Sequence, residues 1–230
     1  MMSMPELEDQ IEILYEDNHL LGVYKPAGML TQGDKTGDLS LLDWAKRWIK
    51  ERYGKPGNVF LGLVHRLDRP VAGVVLFART SKAASRLSAQ IRDRTVKKIY
   101  WAVVHGTPNP LQGKSELYLT RIRNKSAVTG PHDPSGQLAV LHYRVIEVQA
   151  ASSLVEVTLV TGRHHQIRCQ LTALGHPILG DLKYGSRQAL PSQIIALVAK
   201  QLTCRHPTRD ADVVVESPIP RNWPWPPFSG

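Results

Sequence analysis

The chain has 230 residues, of which 42% are hydrophobic and 21% charged. It is long enough to bury a proper core as one large or two small domains. Its formal charge of +9 is uneven: six of the 20 acids (Glu6, Glu8, Asp9, Glu12, Glu16, Asp17) fall in the first 20 residues, which hold no Lys or Arg, leaving 14 acids against all 29 bases in the remainder. That opening excludes secretory and mitochondrial targeting patterns, and no apolar run approaches membrane-spanning length. Cys169 and Cys204 show no metal-ribbon or disulfide spacing, so a reducing, cytoplasmic setting is expected. The basic remainder points to a polyanionic partner.

After an acidic extension over residues 1–10, residues 11–15 alternate like a strand, Glu16-Asp17-Asn18 turns, and residues 20–24 complete a hairpin. Lys25-Pro26-Ala27-Gly28-Met29 is a shaped loop, because Pro26 fixes φ and Gly28 permits positive φ. Beyond a Gly- and Asp-rich loop, Ser40 caps a predicted helix to about Tyr53, with Asp43 three residues on and Gly54 as its stop. Leu41, Leu42, Ala45, Trp48 and Ile49 form its apolar face, with Trp48 assigned to the core.

Residues 63–69, Leu-Val-His-Arg-Leu-Asp-Arg, run from an apolar approach into a dense polar cluster, and residues 71–78 resume the apolar, β-branched character of a buried strand. One carboxylate, Asp68, lies among Arg66, Arg69 and His65, and neighbouring cations favour its ionised form. A nucleophile or base needs that state, although a salt-bridged surface loop would show the same cluster. Thr80 or Ser81 opens a second helix to about Asp93, with Ala84, Leu87 and Ile91 inward and Lys82, Arg86 and Arg92 outward as candidate phosphate contacts. From Arg66 to Lys98 nine bases face only Asp68 and Asp93.

Residues 96–106 read as a strand bearing Tyr100, whose propensity alone suits a core position. Residues 107–136 are rich in Pro, Gly and short polar residues and are read as an arm with one strand at 115–121, in which Arg121, Arg123 and Lys125 can grip a polyanion. Residues 138–148 and 154–160 alternate as a hairpin, so the sheet is antiparallel or mixed. Thr161-Gly162-Arg163-His164-His165-Gln166-Ile167-Arg168 leads into a helix ending near Leu174 and Gly175. Three histidines (His164, His165, His176) raise a metal reading, but no acid or cysteine stands at ligand spacing. A Gly- and Pro-punctuated segment follows, in which Asp181 is read as an organiser. Residues 194–202 form a final apolar strand, and residues 218–227 are a Pro- and Trp-rich coil expected to pack across the domain, a recognition tail being the alternative.

Five of these segments, in order, resemble the motifs of the RluA-type pseudouridine synthases: Lys-Pro-Ala-Gly at 25–28, His-Arg-Leu-Asp at 65–68, Lys-x-Tyr at 98–100, Gly-Arg-x-His-Gln-Ile-Arg at 162–168, and Gly-His-Pro-Ile-Leu-Gly-Asp at 175–181. The resemblance implies an α+β fold with a bent, mixed and mainly antiparallel sheet, flanking helices and a central catalytic cleft, in one catalytic domain over residues 11–228. The match starts so near the beginning of the sequence that no S4-like module of the kind some relatives carry is expected in front of it. It implies Asp68 as nucleophile or base, Tyr100 stacking on the target uracil, Arg168 pairing with the aspartate, Arg66 entering the gap left by a flipped uridine, and Leu197 packing against the base. Net isomerisation calls for no cofactor and no metal, and the expected partner is rRNA or tRNA, with no membrane and no obligate protein partner.

The chain departs from the family pattern at Val71-Ala72, where Thr-Ser is usual, at His164, and at Cys169-Gln170, where Val-His is usual. Two other readings stay open. A non-catalytic RNA-binding protein on the same fold would not need Asp68, Tyr100 and Arg168 together. A glycosidase would need a second acid in a compatible motif.

Overall fold

The computed structural model describes residues 4–226. In chain order its elements are α1 (Met4–Glu8), β1 (Glu12–Glu16), β2 (Leu20–Lys25), α2 (Leu41–Arg52), β3 (Gly62–Leu63), β4 (Ala72–Ala78) and α3 (Ser81–Arg92). They continue with β5 (Lys97–His105), β6 (Gln112–Ile122), β7 (Lys125–Thr129), β8 (Gln137–Gln149), β9 (Ser152–Leu159), α4 (Gln166–Ala173), β10 (Leu197–Arg205) and β11 (Asp212–Glu216). Strands dominate and the helices are few, as in an α+β protein. Two compact units divide the described residues, one of residues 4–96 with 199–220 and the other of residues 97–198 with 221–226.

In the first unit the strand order is β1-β2-β4-β10, with β3 on β4 and β11 on β10. The pairs β1/β2, β2/β4, β3/β4 and β10/β11 are antiparallel. Every residue of β2 and β4 is buried, which is why both read as continuous apolar runs rather than alternating ones. The apolar run before Asp68, by contrast, yields only the two-residue β3. Gly73, on β4, has φ +121°, and a Cβ there would lie 2.3 Å from the Ala199 carbonyl oxygen, so only glycine admits β10 this close.

Thr80 caps α3 by accepting from the Ala83 amide, and Ala83 and Leu87 pack with Leu20, Val74, Leu76, Leu202 and Val215. At α2 the Ser40 hydroxyl accepts from the Asp43 amide and donates to the Asp43 carboxylate, the capping predicted from sequence. Trp48, expected in the core, is only half-buried. The buried stripe is Leu41, Ala45 and Ile49, and a residue one position away is rotated by about 100° from it. Trp48 stacks instead on Trp44, with ring centroids 6.4 Å apart, under the Arg52 guanidinium. Within the acidic extension, α1 buries Leu7.

The second unit is an antiparallel sheet in the order β5-β9-β8-β6-β7. Residues 107–136 are more regular than their composition suggests. β6 pairs with β8 from Gln112↔Arg144 to Leu119↔Gln137, and β7 folds back on β6 to make a hairpin. Pairing with a distant strand overrides a weak local signal.

The unusual Cys169-Gln170 pair is accommodated on α4. Cys169 packs with Leu119, Ala139 and Tyr184, while the fully buried Gln170 amide donates to the Ser115 carbonyl and hydroxyl and to the Ala139 carbonyl. The terminal coil packs as expected as far as it is described: Trp225 is buried and its Nε1 donates to Glu147 at 2.9 Å. Pro227 lies outside the described residues. The strand predicted at 194–202 begins later, at Leu197, and is not the last, since β11 pairs with it.

Candidate active site

In the first unit, Asp68 sits in the loop between β3 and β4, and that loop is fastened on several sides. His65 Nε2 accepts from the Leu76 amide of β4 at 2.9 Å. The Thr31 hydroxyl donates to the Leu67 carbonyl at 2.8 Å and accepts from the Leu67 amide at 3.1 Å. Arg69 and Gly28 exchange two bonds, Gly28 N–H to Arg69 O at 2.7 Å and Arg69 Nε to Gly28 O at 2.9 Å. Arg69 also pairs with Asp38 at 2.7 Å. Arg69, the charge that follows Asp68 in sequence, thus serves to hold its loop. Arg66 is exposed and has no hydrogen bond or ion pair among the described residues.

Lys25 completes this fastening from the end of β2. Its side chain is wholly buried, and Nζ donates to the carbonyls of Pro26, Met29 and Arg69 at 3.0, 2.8 and 3.2 Å. Three donors meet three acceptors, which is the full capacity of an ammonium. Burial drives the Lys25 pKa down to about 7, while the Asp68 carboxylate opposes that fall and Arg69 adds to it. Lys25 and Thr31 are site-shaping residues that the sequence reading missed. A lysine closing a buried strand was a usable sign; Thr31 carried none, because its partner is 36 positions away.

In the second unit, Tyr100 lies on β5 opposite Val157 and is buried. Leu197 opens β10 and is also buried. Arg168, on α4, is 5% exposed and forms a bidentate pair with Asp181, itself 1% exposed: Nε to Oδ2 is 2.6 Å and Nη2 to Oδ1 is 2.8 Å. Such a fork fixes the guanidinium plane, as does the Tyr184 ring 4.9 Å from it. Asp181 therefore orients Arg168, in keeping with its reading as an organiser. Of the five residues proposed from sequence, Asp68 and Arg66 belong to the first unit, and Tyr100, Arg168 and Leu197 to the second.

The three histidines have separate duties. His164 and His165 stack with centroids 3.8 Å apart, and His165 Nδ1 meets the Tyr184 hydroxyl at 2.9 Å. His176 Nδ1 meets the His105 carbonyl at 2.9 Å. Burial first, then Arg168 and His164, push the His165 pKa down to about 2, so its ring is neutral.

No helix among the described residues is long and apolar enough to cross a membrane. A model of the family described as RNA pseudouridylate synthase matches residues 19–173. The chain is 34% identical to an uncharacterized RNA pseudouridine synthase of Synechocystis sp., with 93% of this chain and 67% of that protein covered. It is 35% identical to ribosomal large subunit pseudouridine synthase D of Zymomonas mobilis, over 92% of this chain and 70% of that one. The solved structure of human RNA pseudouridylate synthase domain containing 4 superposes with a TM-score of 0.78 at 27% identity, covering 94% of this chain and 91% of its own. The chain spans about two thirds of the curated relatives' length. With a family model matched over most of the chain, relatives above 30% identity and a shared α+β fold, the chain belongs to the RluA-type RNA pseudouridine synthases, isomerases that act on RNA.

Proposed function

We propose that this enzyme isomerises particular uridines of rRNA or tRNA to pseudouridine, with Asp68 as the reacting carboxylate, in the cytoplasm. The observation that carries this reading is the fastening of the Asp68 loop by Lys25, Gly28, Thr31 and His65. A carboxylate that must meet a ribose carbon is worth holding rigidly, since displacement of a reacting group by an ångström is costly to rate. The fold's first unit invests four separate anchors in this one loop.

In the reaction the N1–C1′ bond breaks, the uracil turns while held, C5 bonds to C1′, the C5 proton leaves and N1 gains one. Atoms balance without redox change. Asp68 either attacks C1′ or removes the C2′ proton. Tyr100 stacks on the uracil and assists loss of the C5 proton, since a phenol both stacks and exchanges a proton. Arg168, held in plane by Asp181, is the cation assigned to Asp68 by the family resemblance. Leu197 supplies apolar surface against the base. A uridine stacked within RNA must be flipped to react, and the exposed, uncommitted Arg66 fits the role of filling its place by stacking.

The test is to map pseudouridines across total RNA from cells with and without the protein, complementing with the intact chain or with Asp68→Asn. Sites that vanish and return only with Asp68 intact support the proposal. An Asp68→Asn protein that restores them would favour a non-catalytic RNA-binding role, and rapid release of free uracil by the purified protein would favour a glycosidase.

A further inference from the structure

Among the described residues, Lys98 has no hydrogen-bonding or ion-pair partner for its ammonium in a place where one is called for. It stands two residues before Tyr100 on β5, so the two side chains leave the same face of the strand, about 7 Å apart along it. Its side chain is half-buried, and burial alone lowers its pKa. Among the described residues no carboxylate, carbonyl or hydroxyl accepts from Nζ. What lies beside Nζ is Gly162, where a Cβ would come within 3.6 Å of it. A partly desolvated cation left unpaired costs folding free energy without any return within the protein, and a flexible ammonium is a compact point charge suited to a phosphate.

We propose that Lys98 is the binding position for a backbone phosphate of the RNA, next to the nucleotide whose base Tyr100 receives. The placement of that nucleotide rests on the function proposed above; the cation's lack of a partner does not. The absence of a side chain at Gly162 leaves the ammonium open to the ligand. Because the backbone phosphate is common to all nucleotides, Lys98 contributes affinity and register and not sequence choice.

The experiment measures binding of an RNA hairpin with an all-uridine loop across a series of potassium chloride concentrations, in the Asp68→Asn background so that no turnover intervenes. Lys98→Met is expected to weaken binding at low salt and to reduce the slope of log K against log salt by about 0.7–0.9, the loss of one phosphate contact. Lys98→Arg keeps the slope. Gly162→Asp, placing a carboxylate beside Nζ, reproduces the Lys98→Met slope while leaving Lys98 in place. Lys98→Met is also expected to unfold in urea at no lower midpoint than the parent. An unchanged slope in Lys98→Met or Gly162→Asp overturns the assignment, as does a lowered midpoint in Lys98→Met, which would make the residue structural. Tyr100→Ala, assayed for turnover with Asp68 present, separates the two readings: full turnover refutes the stacking role, whereas a lost turnover with an unchanged Lys98 slope refutes this inference alone.

Discussion

Replacing Lys25 by methionine removes a charge buried under the Asp68 loop anchors and so separates two opposed contributions. The ammonium's pKa falls from its ordinary 10.5 to about 7 in the folded protein. A difference of about 3.5 corresponds to about 5 kcal/mol against folding while the group is charged in both states, at about 1.4 kcal/mol for each tenfold change. The sign follows from proton binding. Between pH 7 and 10.5 the unfolded chain holds the proton and the folded one has released it, so stability rises with pH across that window. Below pH 7 the full penalty is present.

Methionine, for its part, takes away the donor that the buried carbonyls of Pro26, Met29 and Arg69 now share, at roughly 1–3 kcal/mol for each acceptor left short. Lys25→Met is therefore expected to be destabilised by a few kcal/mol near pH 6.5, and the parent's advantage over it to grow by up to about 5 kcal/mol towards pH 10.5. Urea unfolding of both proteins at pH 6.5, 8 and 9.5 reads this directly, because tyrosine and cysteine titrations common to the two cancel in the difference. A stability difference that is flat with pH would refute the reasoning. Asp68→Asn removes the one charge that supports the ammonium, so it should move the rise to lower pH.

Gly73→Ala drives a methyl group into the Ala199 backbone at a positive φ and should cost about 3 kcal/mol, read as a lowered urea midpoint; Gly37→Ala, also at positive φ but with nothing within 4 Å, should cost only about 1 kcal/mol. Thr31→Val deprives both the Leu67 amide and its carbonyl of their shared hydroxyl, at about 2 kcal/mol, and single-turnover kinetics should show a slower chemical step with RNA affinity little changed. Asp181→Ala breaks a buried pair and should lower stability by about 3 kcal/mol, whereas Arg168→Met combined with Asp181→Leu should recover much of that loss. If the double variant also recovers activity in a pseudouridine-formation assay, Arg168 has no part in the chemistry.

Local structure was legible wherever a signal and its cause lie within a few residues. Ser40 and Thr80 cap the helices that follow them, and the hairpins around residues 17–19 and 150–151 sit between the expected strands. The order of the five motifs likewise pointed to the family without reference to packing. The errors cluster where a distant partner decides. The amphipathic pattern of its helix points Trp48 to the core, yet the buried stripe of Leu41, Ala45 and Ile49 passes one residue away. Residues 107–136 looked loop-like because Pro, Gly and short polar residues are frequent there, but β8 supplies a ladder for β6 that composition does not reveal.

The site shows the same division. Sequence alone determined which residues carry reactive or ionisable groups: Asp68, Tyr100, Arg168 and the exposed Arg66 stand in motifs whose wording needs no coordinates. Tertiary structure decided what each is bonded to. The pairing of Arg168 with Asp181, the grip of Thr31 on Leu67, the burial of Lys25 beneath three carbonyls and the placing of the Lys98 ammonium beside Gly162 all depend on groups brought together from separate stretches of chain. Propensity, capping and patterning act over a few residues, whereas burial and hydrogen-bond satisfaction are settled only after the strands have paired.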